Sequence, residues 1–321
     1  LLAIACLWLV AWTCPAQVLI VLSDESAPYR EVADAFRAEL GALRDGTLKV
    51  GTASAQSVRD GSSAALTSYE LIVPIGLSAV EAALARSRTA PSPRVLCLLI
   101  PRQTFEALAA DRAAGRDRRV SAVYIDQPLA RQLDLIRAAL PERRRLGVIV
   151  GPTSAALTDE LRDQARERDL TLSLADVSEA TGVYAALQNV LPQADMLLAL
   201  PDPVAFNAST AYGLLLTSYH AQVPVVGFSE GLVKAGALLA LFSTAAQQGR
   251  QGGEIAARLL SGDVRLPSPQ HPRYFTVRVN ASVARSLGLR LADDEALARV
   301  LVERESARGA RESPPSSGRS P

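Results

Sequence analysis

The sequence is short of the groups on which most catalytic sites depend. Its 321 residues include two histidines, three cysteines and one methionine. A serine hydrolase needs a positioned general base, and neither histidine is placed to serve: His220 ends a helix just before a strand, and His271 lies in a proline-rich loop. The run Gly227-Phe228-Ser229-Glu230-Gly231 has the outline of a strand-to-helix nucleophile turn but no partner for the serine. The same scarcity argues against a zinc site. A glycine-rich dinucleotide fingerprint after the first strand is missing, as is a GK[ST] phosphate loop, so no cofactor is expected and the chain does not read as an enzyme. An excess of one charge is missing too. Lys plus Arg number 34 against 33 Asp plus Glu, which leaves a formal charge of +1 and no case for nucleic acid as a partner. Beyond residue 16 the only cysteine is Cys97, so no disulfide framework is expected. A chain of this length can bury enough core without one.

What is present begins with an apolar leader. Leu1 to Ala11 are almost all apolar, and Thr13-Cys14-Pro15-Ala16 supplies small residues. That resembles the hydrophobic region and cleavage site of a secretory signal, in a run too short for a membrane-spanning helix. Residues 1–16 are read as the remnant of a signal peptide, which places the protein in the periplasm. Anchoring of a lipid through Cys14 is the weaker reading, because bulky Trp12 sits two residues before it.

From Val18 the chain alternates apolar β-branched runs with helical periodicity. Strands are predicted at 18–23, 48–50, 70–76, 94–100 and 120–125, then at 146–151, 170–174, 195–201 and 223–228, with helices between. Repeated strand, loop and helix is the signature of a doubly wound parallel sheet in the α/β class. The second half echoes the first, so two Rossmann-like lobes are expected, hinged around a cleft. The expected partition is lobe 1 over 17–120 plus 244–264 and lobe 2 over 121–243 plus 265–302. Ser306 to Pro321 lack core-forming residues, and 303–321 read as a disordered tail.

Ligands of open α/β sheets bind at the carboxyl ends of strands, and candidate contacts follow from that position. Ser23, Asp24, Gly76, Gly151 and Thr153, with Ser154 beside them, offer hydroxyls and helix-start amides suited to an anionic group. Asp126, Asp202 and Glu230 offer carboxylates, with helix capping an equally good reading of the two aspartates. Tyr29, Tyr124, Phe206 and Phe228 could flank an apolar ligand part or pack in the core. Ser229 joins them as a polar group in the second lobe.

Several stretches resemble the ABC-transporter substrate-binding family that includes tryptophan- and tyrosine-binding lipoproteins. They are Pro224 to Leu241, Gln248-Gly-Arg-Gln251, Leu260-Ser-Gly-Asp263, Asp134 to Pro141 with Arg145 to Val150, and Val279-Asn280 with Ala284 to Leu289. The resemblance covers most of the chain after the leader. It implies a type I periplasmic-binding fold: two lobes, three crossovers, and a ligand held between them without chemistry. It also implies a monomer that captures a small organic molecule, an amino acid or related carboxylate, for an ABC permease. A membrane sensor such as a receptor kinase is the alternative partner. The chain departs from the family pattern at Gly76-Leu77-Ser78, at Pro101-Arg102-Gln103 and at Asp202-Pro203.

Overall fold

The computed structural model describes residues 17–44, 48–61, 66–86, 93–113, 119–207, 209–263 and 265–312. The leader and Cys14 lie outside them, as do residues 313–321.

The first lobe is built from β1 (Gln17–Leu22), α1 (Ala27–Leu43), β2 (Lys49–Ser54), α2 (Ala55–Arg59), β3 (Leu71–Ile75), α3 (Leu77–Arg86), β4 (Arg94–Ile100), α4 (Arg102–Ala113) and β5 (Val120–Tyr124). The strands form one parallel sheet in the order β2-β1-β3-β4-β5. Apolar residues fill β1, β3 and β4 because helices cover both faces of such a sheet. One face packs on Val32, Phe36 and Leu40 of α1, the other on Ala79, Val80 and Phe105.

The second lobe starts with α5 (Leu129–Ala139), β6 (Arg145–Val150), α6 (Thr158–Arg166), β7 (Thr171–Asp176), α7 (Val183–Val190), β8 (Met196–Leu198), α8 (Ala211–His220), β9 (Val225–Gly227), α9 (Glu230–Ala235) and β10 (Leu239–Phe242). The chain then returns to the first lobe as α10 (Ala245–Leu260), which lies along α1. It ends in the second lobe with β11 (Thr276–Val279), α11 (Ala281–Ser286) and α12 (Asp294–Glu312). The second sheet runs β11-β10-β9-β8-β6-β7, with β11 antiparallel to β10.

Small residues let α10 approach α1 closely. A Cβ at Gly249 would overlap the Val32 carbonyl oxygen, one at Gly252 would sit 2.7 Å from Leu98, and one at Gly253 would sit 2.9 Å from the Phe36 carbonyl. The glycines in Gln248-Gly-Arg-Gln-Gly-Gly253 are thus the contact face of a helix.

Two expected boundaries move. Lobe 1 does not end at 120, because β5 pairs with β4 in the first sheet. Nor does lobe 2 resume at 265: Leu266 is buried in the first core, and Gln270 bridges Val123 at the edge of β5. The composition of a crossover strand says nothing about which sheet it joins, so hydrogen bonding alone decides. The tail reading also needs correction, since α12 runs to Glu312. Leu297 and Leu301 anchor its first half in the core. Its second half is held by polar bonds: Glu305 to Arg131 at 2.5 Å, and Arg308 to the buried Asp134 at 2.5 Å. An apolar period cannot reveal a helix anchored by ion pairs.

The three crossovers between lobes are stitched together. Gln127 Nε2 donates to Ser243 Oγ at 2.9 Å, and Ser243 Oγ donates to the Tyr274 carbonyl at 2.5 Å. Arg131 braces the set, donating to Gln127 Oε1 at 2.7 Å and to the Pro272 carbonyl at 2.9 Å, with its guanidinium 4.4 Å from the centre of the Phe275 ring.

Candidate functional site

The carboxyl ends of the two sheets face each other across a narrow pocket. The first lobe contributes Pro101, Arg102 and Gln103 from the end of β4. The crossovers add Asp126, Gln127 and His271, and α5 adds Leu129 and Gln132. The second lobe closes the far side with Thr153, Ser154, Leu157 and Glu160 after β6, and with Leu200 and Pro201 after β8.

A kink aims the first-lobe wall. Leu99 has φ of 57° at a register shift between β4 and β5, just before Pro101. Such a bulge bends its strand and redirects the chain beyond it. Arg102 then begins α4, and its amide donates to Asp126 Oδ2 at 2.5 Å. Asp126 therefore caps α4 of the first lobe, and not α5 as a cap ahead of Leu129 would. The Arg102 side chain crosses to the second lobe: Nη1 lies 3.1 Å from Glu160 and Nε 2.9 Å from Glu106 on its own helix. Burial pushes the Asp126 carboxyl above the ordinary aspartate range, against the amide of Arg102 and the nearby His271. His271 Nδ1 lies 2.9 Å from the Asp126 carbonyl oxygen. A carbonyl only accepts, so Nδ1 carries the proton and, in the neutral ring, Nε2 is an acceptor. The ring stands edge-on to Tyr124 with centroids 5.4 Å apart. Burial, reinforced by Glu106, pushes the Tyr124 phenol up to about 12, so it stays protonated.

Asp202 sits directly behind the second-lobe wall, 3% exposed. One oxygen accepts from the amides of Thr153 and Ser154 and from the Ser154 hydroxyl, at 2.9–3.0 Å. The other accepts from the amides of Val204 and Ala205 at 2.9 and 3.1 Å. Burial opposes the charge, but these donors outweigh it and hold the carboxyl below its ordinary value. A Cβ at Gly151 would overlap this carboxylate, which explains the glycine at the end of β6. Asp202 therefore welds the loops after β6 and β8 into one unit, and five donors fill the roughly four lone-pair sites of a carboxylate.

The other sequence-derived candidates fall in separate groups. Ser23, Tyr29 and Gly76 meet at the ends of β1 and β3. A Cβ on Gly76 would lie 2.5 Å from the Tyr29 ring and 2.7 Å from Ser23 Oγ, and that hydroxyl bonds the Ile75 carbonyl and the Ala79 amide at 2.9 and 3.0 Å. Asp24 accepts the Ser26 amide at 2.7 Å, and the Ser26 hydroxyl and amide hold its carboxyl below the usual range. Phe206 and Phe228 stack edge to face with centroids 6.0 Å apart, packed against the second core. Ser229 caps α9 through the Leu232 amide at 3.2 Å. Glu230 pairs with Lys234 at 2.9 Å, and this ammonium lowers its carboxyl pKa. Of the fourteen candidates, Asp126, Thr153 and Ser154 line the pocket. Sequence reasoning missed Arg102, Gln103, Gln132, Glu160 and His271. One signal pointed there: Pro101-Arg102-Gln103 is where the sequence departs from the pattern it otherwise resembles.

Among the described residues, no group of three His, Cys, Asp or Glu side chains is placed to hold a metal ion, and no helix is long and apolar enough to cross a membrane.

Two lobes with mostly parallel sheets joined by three crossovers, with a pocket between the carboxyl ends of the sheets, define a type I periplasmic-binding fold. The chain belongs to the family of ABC transporter substrate binding proteins, whose pattern it matches over residues 65–300. It is similar to the ligand-free, open structure of a substrate binding protein with adhesive properties from Clostridium difficile (TM-score 0.69, 17% identity, 87% of this chain and 97% of that one). It is also similar to the ABC domain in complex with L-Trp from Streptococcus pneumonia (TM-score 0.61, 16% identity, 89% and 98%). At these identities the likeness concerns the fold. A tyrosine-binding protein of Clostridioides difficile (strain R20291) is 23% identical over 133 residues, which are 40% of this chain and 38% of that relative.

Proposed function

We propose that the chain is an exported solute-binding protein that closes its two lobes on a small organic ligand and presents it to an ABC permease, without catalysing a reaction. The observation that carries this reading is the pocket shared by both lobes and bridged at its side by the Arg102–Glu160 pair. Relatives named for tyrosine binding or solved with L-Trp support a ligand of amino-acid size. The lobes move about the stitched hinge, and the ligand stabilises the closed form because only that form contacts it on both sides.

Thermal unfolding of residues 17–312 against an amino-acid and amine library tests this. A compound present at a hundred times its dissociation constant adds about 2.7 kcal/mol of stability, so at least one member raises the melting temperature by several degrees. A flat response across the library contradicts the reading.

The bridge itself is weak. Both partners are partly exposed, and such pairs contribute at most about 1 kcal/mol. Arg102→Ala therefore shifts the open-to-closed ratio of the ligand-free protein toward open by about fivefold or less, read by distance distributions between labels on the two lobes. An unchanged distribution removes Arg102 from the closing contact.

A further inference from the structure

The pocket is unevenly equipped, and the imbalance indicates what it takes. Several of its donors are already engaged inside the protein, beside the side chains of Gln103 and Thr153, which also line it. The amides of Thr153 and Ser154 and the Ser154 hydroxyl go to Asp202. Gln127 is spent on both sides, accepting from Arg131 and donating to Ser243. The Arg102 guanidinium is shared between Glu106 and Glu160.

Acceptors are left over. Gln132 is 5% exposed and lines the pocket. Its Nε2 donates to the Gln127 carbonyl at 2.9 Å, which fixes the amide orientation, and its Oε1 has no donor among the described residues. In the neutral ring, His271 holds its proton on Nδ1 against the Asp126 carbonyl and Nε2 is an acceptor. Asp126 has the Arg102 amide, its own amide and the nearby His271 as compensation, a thin set beside the five donors on Asp202. Among the described residues that line the pocket there is no Phe, Tyr or Trp, and the His271 imidazole is the one aromatic ring there.

Resting on the reading of this pocket as the binding site, we propose that its ligand is a compact, non-aromatic cation, an amine or amidine, whose N–H donors are received by Asp126 and Gln132. The carboxylate neutralises the charge, and the amide oxygen takes a second N–H. Leu129, Leu157 and Leu200 then cover a short aliphatic part. Charge-assisted bonds in such a site carry most of the affinity. Burial raises the Asp126 carboxyl, so in the empty protein its charge is a cost to folding that falls as the group protonates.

The test is isothermal titration of residues 17–312 with putrescine, agmatine, lysine and arginine on one side and glutamate, tyrosine, tryptophan and ribose on the other. At least one of the first four binds, and the second four do not. Asp126→Asn keeps an acceptor for the Arg102 amide, so its melting temperature at pH 7 without ligand equals or exceeds that of the wild type, while affinity for the bound amine falls by about tenfold to a hundredfold. Gln132→Met, which keeps the volume and removes the acceptor, lowers affinity in the same direction and serves if the first variant fails to fold. Binding of tyrosine, tryptophan, glutamate or ribose without any of the four amines overturns the cation and leaves the binding-protein reading standing. Binding of no compound overturns both. Amine binding that both variants leave unchanged overturns the assignment to Asp126 and Gln132.

Discussion

Replacing Asp202 by alanine is expected to cost about 3–5 kcal/mol, measured by urea unfolding of the ligand-free chain at pH 7. A buried carboxylate that loses its side chain leaves its donors without partners, and here those donors come from two separate loops. An ordinary helix cap is worth about 1 kcal/mol, so a loss of that size would show that Asp202 caps α-turns and does not join the loops. Asparagine is no substitute. Both oxygens of Asp202 receive backbone N–H groups, so the NH₂ of an asparagine would face a donor in either orientation. The expected pH dependence has a definite sign. The folded carboxyl is held below its ordinary value, so its contribution is present above the unfolded pKa of about 3.9 and is lost as pH falls through the lower, folded value. The gap between wild type and Asp202→Ala therefore narrows below about pH 4. Because Thr153, Ser154, Leu200 and Pro201 line the pocket in front of this joint, the alanine variant also loses ligand affinity.

Gly249→Val is expected to destabilise the protein by about 3 kcal/mol or more, at the upper end of what overpacking a tight contact costs. The added Cβ would meet the backbone of α1 at the Val32 carbonyl and, at 2.9 Å, the Phe36 amide. Backbone cannot yield as a flexible side chain would. The informative control is Gly213→Ala. Gly213 lies inside α8, and a methyl group added there would have no neighbour within 4 Å, so the substitution stabilises by about 0.8–1.0 kcal/mol through helix propensity. Equal effects at the two sites would mean that α10 does not seat on α1 through its glycines, and that this return of the chain to the first lobe is misplaced.

These residues also show why some of the molecule was legible in its sequence and some was not. Strands β1, β3, β4 and β6 are continuous apolar runs, because both faces of each are covered, and such runs can be read directly. The doubled order of strand and helix carried the two-lobe expectation. What composition cannot report is direction across the hinge. Val120–Tyr124 and the segment around Gln270 look like any strand and loop, and only their pairing assigns them to the first lobe. Strand-end position picked out three residues that line the pocket, Asp126, Thr153 and Ser154, but most other strand-end residues are engaged in local bonds, as Ser229 is with Leu232. The missed residues come from helices and crossovers: Gln132 and Glu160 lie at the first turn of α5 and α6, and His271 lies on the third crossover. Each reaches the pocket through the closure of two lobes, a relation between segments far apart in the chain.

The central claim is that a ligand sits between the lobes in this pocket. A crystal structure of residues 17–312 grown with the amine that binds most tightly in titration tests it directly. Density for one molecule is expected between Pro101–Gln103 and Thr153–Glu160, with its nitrogen within about 3 Å of an Asp126 oxygen, the range of a charge-assisted hydrogen bond. Density held by one lobe alone, or seated by the Phe206–Phe228 pair away from Asp126, would contradict it.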